Sequence, residues 1–268
     1  MRQLANNMTK NLKIFWQLFR INIKKSLVYR VNFAVTVLSI SLWIVLYILF
    51  FEVIFSHIDS LAGWSKGEAL VVLGFYYMIQ GVSNIFFRES FENFDYKLRR
   101  GDLDPLITKP ASMQLLSFFV DMRIDHVIDF LITFIIFGYV HFQIGMELSW
   151  PLIALGTLLS IISNILFYGL LLCIINVVFL FDRIEVIGST LWNISQISRY
   201  PRQVYTGAAK VAVQFVFPAA LLAAIPAEVA LGKSSLYWVG FFTFLAFFFW
   251  GLGTLLFNLG LRKYSSAN

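Results

Sequence analysis

The stretch VNFAVTVLSISLWIVLYILFF, residues 31–51, carries no charged side chain over 21 positions. A helix rises 1.5 Å per residue, so about 20 apolar residues cross a hydrocarbon core of about 30 Å. The stretch therefore reads as a membrane span, and the rest of the chain repeats its character. Further uncharged runs occupy 69–87, 148–181, 211–227 and 234–261. Of the 268 residues 59% are apolar, 29 are Phe and only 13% are charged, which is outside the range of soluble domains. The expected fold is all-α: a polytopic membrane protein with six transmembrane helices and no room for a soluble catalytic domain. The one cysteine, Cys173, lies in an apolar run, so neither a disulfide framework nor a Cys-based metal site is expected.

Residues 1–32 form a unit of their own. Lys10, Lys13, Gln17, Arg20 and Lys24 recur at three- and four-residue steps, and Leu12, Phe15, Phe19, Ile23 and Leu27 fill the opposite face. Such a helix lies in the membrane interface, its basic side among anionic headgroups. Lys13, Arg20 and Lys24 are the residues expected to meet membrane lipids, and the same side chains suit a docking surface. No cleavable signal pattern precedes the first span.

Orientation follows from the Lys and Arg count. Seven precede the first span, five lie between 88 and 109, two follow the last span, and Lys66 alone sits between the first two spans. Both termini are therefore expected in the cytoplasm. The fifth crossing has two solutions. Charge counting makes 208–231 the span, with Arg199, Arg202 and Lys210 inside. The other solution makes 184–199 the span and turns 203–231 into a re-entrant hairpin bent at Pro218 and Pro226, with those three cations forming an outer basic rim suited to an anionic lipid or glycan. Broken backbone at membrane depth requires cover by protein or a water-filled cavity.

The segment AEVALGKSS, 227–235, imitates a phosphate-binding loop with Ala in the first position. A proline-broken apolar helix precedes it where such a loop needs a strand, and Lys233 falls just before the last span, so it reads as a chance match. Asp121, Asp125 and Asp129 stand at i, i+4 and i+8 near the start of the third span, expected over 115–142, which would set three acids on one helix face. Asp129 is the deepest and is a candidate intramembrane polar site. Glu52, and Asp182 with Arg183, read as interface residues. His57, His126, His141 and Cys173 form no catalytic set, so the chain is not expected to be an enzyme.

RESFENFDYKLRRGDLDPLITKPASMQLLSF, 88–118, follows the second span. Glu89, Glu92 and Asp95 alternate with Arg88, Lys97, Arg99 and Arg100 on a helix that Gly101 ends. A short element follows with Leu103, Leu106 and Ile107 apolar and Asp102, Asp104 and Lys109 polar, until Pro110 stops it. This pattern resembles the loop between the second and third helices of ABC-2-type exporter permeases, in their short six-helix bacterial branch. FLFDRIE at 179–185 resembles the polar start of the fifth helix of that branch, SRYPRQVYTGAAKVAVQFVFPAALLAAIPAEVAL at 198–231 its Y-P-x-x-x-Y…P…P region, and GLRKYSSAN at 260–268 its closing motif.

The resemblance implies a permease subunit of an ATP-driven exporter in the bacterial inner membrane, moving an amphipathic, lipid-linked or drug-like substrate. It implies two copies of a separate ATP-binding subunit and a second permease, identical or homologous. ATP and Mg would then act on the partner, with no cofactor on this chain and no nucleic acid involved. It makes 1–32 an interfacial helix and 33–268 the transmembrane domain, with a coupling loop at 88–112 and a re-entrant hairpin at 203–231. A rigid element pressed into an ATPase needs charges that set register and apolar anchors. Leu103, Leu106 and Ile107 would anchor, and Glu89, Glu92, Arg99, Arg100, Asp102 and Asp104 would orient. In a secondary transporter driven by an ion gradient, the other reading, Asp129 would be the coupling acid.

Overall fold

An apolar chain in a bilayer must satisfy its backbone within itself, and here it does so with helices. The structure, a computed structural model, describes residues 2–28, 30–109, 111–176 and 193–263. The segment 179–185 with Asp182 and Arg183, most of 184–199, Pro110 and the end of the closing motif lie outside the described residues.

The helices are α1 (Arg2–Val28), α2 (Arg30–Phe55), α3 (Lys66–Ser83), α4 (Glu89–Glu92), α5 (Phe94–Arg99), α6 (Asp104–Ile107), α7 (Met113–Phe118), α8 (Val127–Phe142), α9 (Trp150–Ile175), α10 (Gly207–Val211), α11 (Leu221–Ala230) and α12 (Leu236–Lys263). Five stretches are long and apolar enough to cross a membrane: Phe33–Phe55, Lys66–Arg99, Ile124–Phe142, Trp150–Ile175 and Leu236–Arg262. A bent pair, Gly207–Val216 and Leu221–Ala230, makes six if it counts as one span. Among the described residues there is no strand, only an isolated bridge between Leu61 and Trp64. The chain is an all-α, multi-pass membrane protein.

α3 is the central helix. It starts at a capping box, in which Ser65 N–H donates to Glu68 Oε2 (3.0 Å) and Ser65 Oγ accepts from Glu68 N–H. Its sequence is apolar all round, as a helix enclosed on every side must be, and 89% of its most apolar stretch is buried against 6% for α2. α8 runs antiparallel to it, with Thr133 Oγ1 donating to the Gly74 carbonyl (3.1 Å) and Gly81 facing Asp129 and Phe130. α9 runs antiparallel to α11 and parallel to α12. Ser163 Oγ donates to the Leu222 carbonyl (2.8 Å), and Gly156 faces the Pro226 carbonyl.

These contacts define two ends of the bundle. At the turn end, the α2–α3, α8–α9 and α11–α12 connections meet through Lys66–Glu52 (2.9 Å), Tyr139–Glu52 (2.8 Å) and Lys233–Glu68 (2.6 Å). At the linker end lie α1 and residues 84–126.

Two expectations change here. The third span does not begin at 115: α7 ends at Phe118, residues 119–123 are irregular, and a 3₁₀ turn at Ile124–His126 leads into α8. Asp121, Arg123 and Asp125 cannot enter hydrocarbon as a helical group, and each finds a partner at the linker end instead. Lys97 pairs with Asp121 and Arg123 with Asp125 (2.6 Å), so the three acids do not share one helix face. On α1 the packed face is also turned. Phe15 and Phe19 lie against Phe86, and Asn22 Nδ2 donates to the Val120 carbonyl (2.9 Å), whereas Leu12 is 58% exposed. Lys13, Arg20 and Lys24 stay exposed.

α9 and α12 approach through glycines. A Cβ on Gly169 would sit 2.5 Å from the Trp250 nitrogen, and one on Gly253 would sit 2.7 Å from Leu172 Cβ. Small residues permit this closeness, which drives helix association in lipid. Gly169→Val is expected to cost about 1–3 kcal/mol of overpacking, lowering the unfolding temperature of the purified protein by roughly 2–12 °C for a chain of this size. Thermal melts in neutral detergent check this, with Gly138→Val, at a site open to space, as the unchanged control.

Candidate functional site: a rooted linker and an intramembrane cavity

The linker grows out of α3 through a π turn, Asn84–Arg88, a wider winding that often marks functional sites. Asn93 (φ −91°, ψ 0°) then separates α4 from α5. Gly101 (φ 73°) closes α5 with a paired cap, in which Gly101 N–H donates to Leu98 O (3.3 Å) and Asp102 N–H to Lys97 O (3.0 Å). Only glycine takes this left-handed conformation without strain. Pro105 starts α6, where its missing N–H is not needed.

The linker is rooted by aromatic packing. Phe91 stacks on Phe118 at 4.1 Å, and Phe94 packs on Phe118 (5.1 Å) and Phe257 (6.0 Å). Leu103 belongs to this root. It is fully buried in the core, not an exposed anchor as its amphipathic setting suggests, because the tight turn at Gly101 folds it inward. Leu106 is half-buried against the core, and Ile107 stays 51% exposed.

The charges divide in the same way. Glu92 accepts from Arg88 Nε (2.7 Å), and Glu89 accepts from Asn93 (3.3 Å) and lies 3.5 Å from Arg123. Both acids are thereby committed within the chain. Arg99 pairs with Asp95, and Arg100 donates to the Tyr96 hydroxyl while lying over its ring at 5.0 Å. Arg99, Arg100, Asp102 and Tyr96 are exposed, and Asp104 is half-buried. Arg123 braces the linker against the bundle, donating to Asp125 (2.6 and 3.0 Å) and to Thr36 of α2 (3.4 Å). The Asp125 carboxylate beside it holds the Arg123 pKa above its ordinary value.

Inside the bundle a cavity of about 370 Å³ opens between α2, α3, the start of α8 and residues 193–199. Asp129 lines its lower part and is buried. It accepts from Asn84 Nδ2 (3.1 Å) and faces His126 Nδ1 at 3.0 Å. Arg199 lines the upper part between Tyr47 and Tyr76. Among the described residues no group of three His, Cys, Asp or Glu side chains could hold a metal ion.

The three cations of the anticipated basic rim have separate fates. Arg199 enters the cavity and Lys210 is exposed. Arg202 is buried, forming two bonds to Glu228 (Nε–Oε1 2.6 Å, Nη2–Oε2 3.1 Å) with the Trp238 ring 3.8 Å away. The sequence reading missed Glu228, whose signal is a lone acid within the apolar run 211–231. Gln203 also donates to Glu228 (2.9 Å), and Gln214 donates to the Arg202 carbonyl (2.7 Å), so the two ends of 202–228 are tied together. Between them the chain bends by 86°. Lys233 follows a helix, not a strand, and its ammonium pairs with Glu68 above the Trp64 ring. That geometry rules out a phosphate-binding loop.

No curated protein and no solved structure matches the chain. A family model described as ABC-2 family transporter protein matches residues 41–268, which include the linker, the cavity lining except Ile40, and the bent pair. The chain belongs to the ABC-2 family of transporter membrane proteins.

Proposed function

We propose, from this membership, that the chain acts as a membrane-spanning permease subunit of an ABC transporter and partners an ATP-binding subunit. We infer that it works as an exporter in the bacterial inner membrane, moving an amphipathic substrate, with ATP and Mg handled by two copies of the partner. A second permease, identical or homologous, completes the complex. The observation that carries this reading is the linker: exposed Ile107 and Tyr96 sit among Arg99, Arg100 and Asp102, on a support whose underside, Leu103 and Phe94, is buried in the bundle. A contact of this kind transmits force, because displacement of the exposed tip moves a packed root. α1 lies against the same end and adds Lys13, Arg20 and Lys24 to it. The ion-gradient reading is the less favoured one, because membership in an ABC transporter family points to an ATP-binding partner.

Residues 203–231 act in this proposal as a re-entrant hairpin on the outer side, with the linker in the cytoplasm. The tie between Arg202 and Glu228 supports it, since a straight helix would separate these two residues by about 39 Å. Pro218 lies at the bend, whereas Pro226 falls inside α11 and makes no second bend, contrary to the expectation from sequence.

Two experiments test the proposal. Ile107→Asp is expected to reduce the copurifying ATPase by about tenfold or more, the size of losing a central apolar anchor. Leu103→Ala should instead cost about 2–5 kcal/mol of the permease's own stability. Equal ATPase recovery from wild type and Ile107→Asp would refute docking at the linker. For topology, single cysteines at Thr206 and Lys109 are introduced into a Cys173→Ser background. An impermeant thiol reagent added to intact cells should label the Thr206→Cys variant alone, and the reverse pattern would refute the outer hairpin.

A further inference from the structure

Among the described buried and half-buried arginines, Arg199 is the one whose charge is answered differently. Arg88, Arg123 and Arg202 each face a carboxylate, of Glu92, Asp125 and Glu228. Arg199 has no carboxylate partner among the described residues. Its Nη1 donates to the Tyr47 hydroxyl and its Nη2 to the Tyr76 hydroxyl (3.2 Å), and the two rings lie 4.3 and 5.1 Å from the guanidinium carbon. Its Nε is buried without a hydrogen-bond partner. Tyr76 lies ten residues into α3, about 15 Å from the turn end by helix rise, so this charge sits at membrane depth. Phenol oxygens and ring faces soften the cost of such a charge but do not neutralise it.

The surroundings describe what would neutralise it. A guanidinium offers five donors in a planar fork suited to two oxygens of one anion, and here two donors are used. The cavity of about 370 Å³ is within the range of small-molecule sites. The opposing charge, Asp129, is held near Asn84, eight residues or about 12 Å farther along α3, and is engaged by Asn84 and His126. It leaves the Arg199 end positive. The cavity wall on α2 includes Ile40 and Trp43, and Trp43 is 57% exposed on a helix whose neighbouring Leu42 and Leu46 are also exposed. The opening therefore lies along an apolar helix flank, where an alkyl chain can remain in lipid while its head enters.

We propose that this cavity binds an amphiphile with an oxyanion head, phosphate or carboxylate, with Arg199 as the head's ligand and the α2 flank at Trp43 as the path of its tail. The site deepens the transport reading and rests on it only for its purpose, since binding belongs to this chain without the ATPase.

The test uses the purified full-length chain in phosphatidylcholine nanodiscs and a decyl phosphate bearing a diazirine on its tail. Saturable adducts are expected on residues 40–47 and 76–80. Decyl phosphate should compete at least tenfold better than either decyltrimethylammonium or inorganic phosphate, which separates a lipid-like head from a free anion. Arg199→Gln should weaken competition tenfold or more, Arg199→Lys should fall between it and wild type, and Lys210→Gln should leave it unchanged. Gel filtration and thermal melts confirm that the variants are folded, and the Lys variant keeps the test valid if the Gln variant is not. Adducts spread evenly over all spans, equal competition by the cation or by inorganic phosphate, or indifference to both Arg199 substitutions would overturn the proposal. Absence of a copurifying ATPase would count against the transport reading and leave this outcome standing.

Discussion

The pairing of Arg202 with Glu228 governs how the last third of the chain is arranged. Both side chains are buried, the two bonds are parallel, and the Trp238 ring covers the guanidinium. Removing one member of such a pair strands a charge in low dielectric, at a cost of about 3–5 kcal/mol. Because Arg202 precedes α10 and Glu228 lies in the last turn of α11, their union ties the start of that segment to its end. It also sets the depth of α11 against α9, where Gly156 leaves space for the Pro226 carbonyl. The Lys233–Glu68 contact then holds the start of α12 to the start of α3.

The same electrostatic requirement shapes the linker end. Asp121, Arg123 and Asp125 fall within five residues, and no membrane helix can carry them on its lipid face. The chain gives up helix there and directs the charges to Lys97, Glu89 and Thr36, which brace residues 121–125 to the linker and to α2. The irregular stretch 119–123 is thus a joint between the α7 root and the α8 span.

Much of the membrane architecture was legible because hydropathy is an average over many residues, and averages survive local error. α2, α3, α9 and α12 all fall on the uncharged runs, and the joint resemblance at 88–118 and 198–231 pointed to the family that the chain proved to match. What was not legible depended on single turns. Leu103 looks like Leu106 and Ile107 in any periodicity plot, and only the left-handed Gly101 decides which of them faces the core. The pattern on α1 was read as two faces, but packing against Phe86 and Phe119 uses only Phe15, Phe19 and their neighbours, leaving Leu12 outside. Arg199, Arg202 and Lys210 are alike in sequence and were grouped; their separation follows from Glu228, Tyr47 and Tyr76, which are distant in sequence.

α2 is joined to the bundle unlike the other described spans. Its buried apolar side chains are few, Ile44 and Phe51 chief among them, and polar groups at Thr36, Tyr47 and Glu52 hold it near its start, middle and end. The interior of the protein would survive its displacement, because α3, α8, α9 and α11 pack on one another without it. The stave that closes one side of the cavity is therefore the one whose movement disturbs the core least, and the resistance to that movement is electrostatic and directional, in contrast to the close packing that holds α9 to α12.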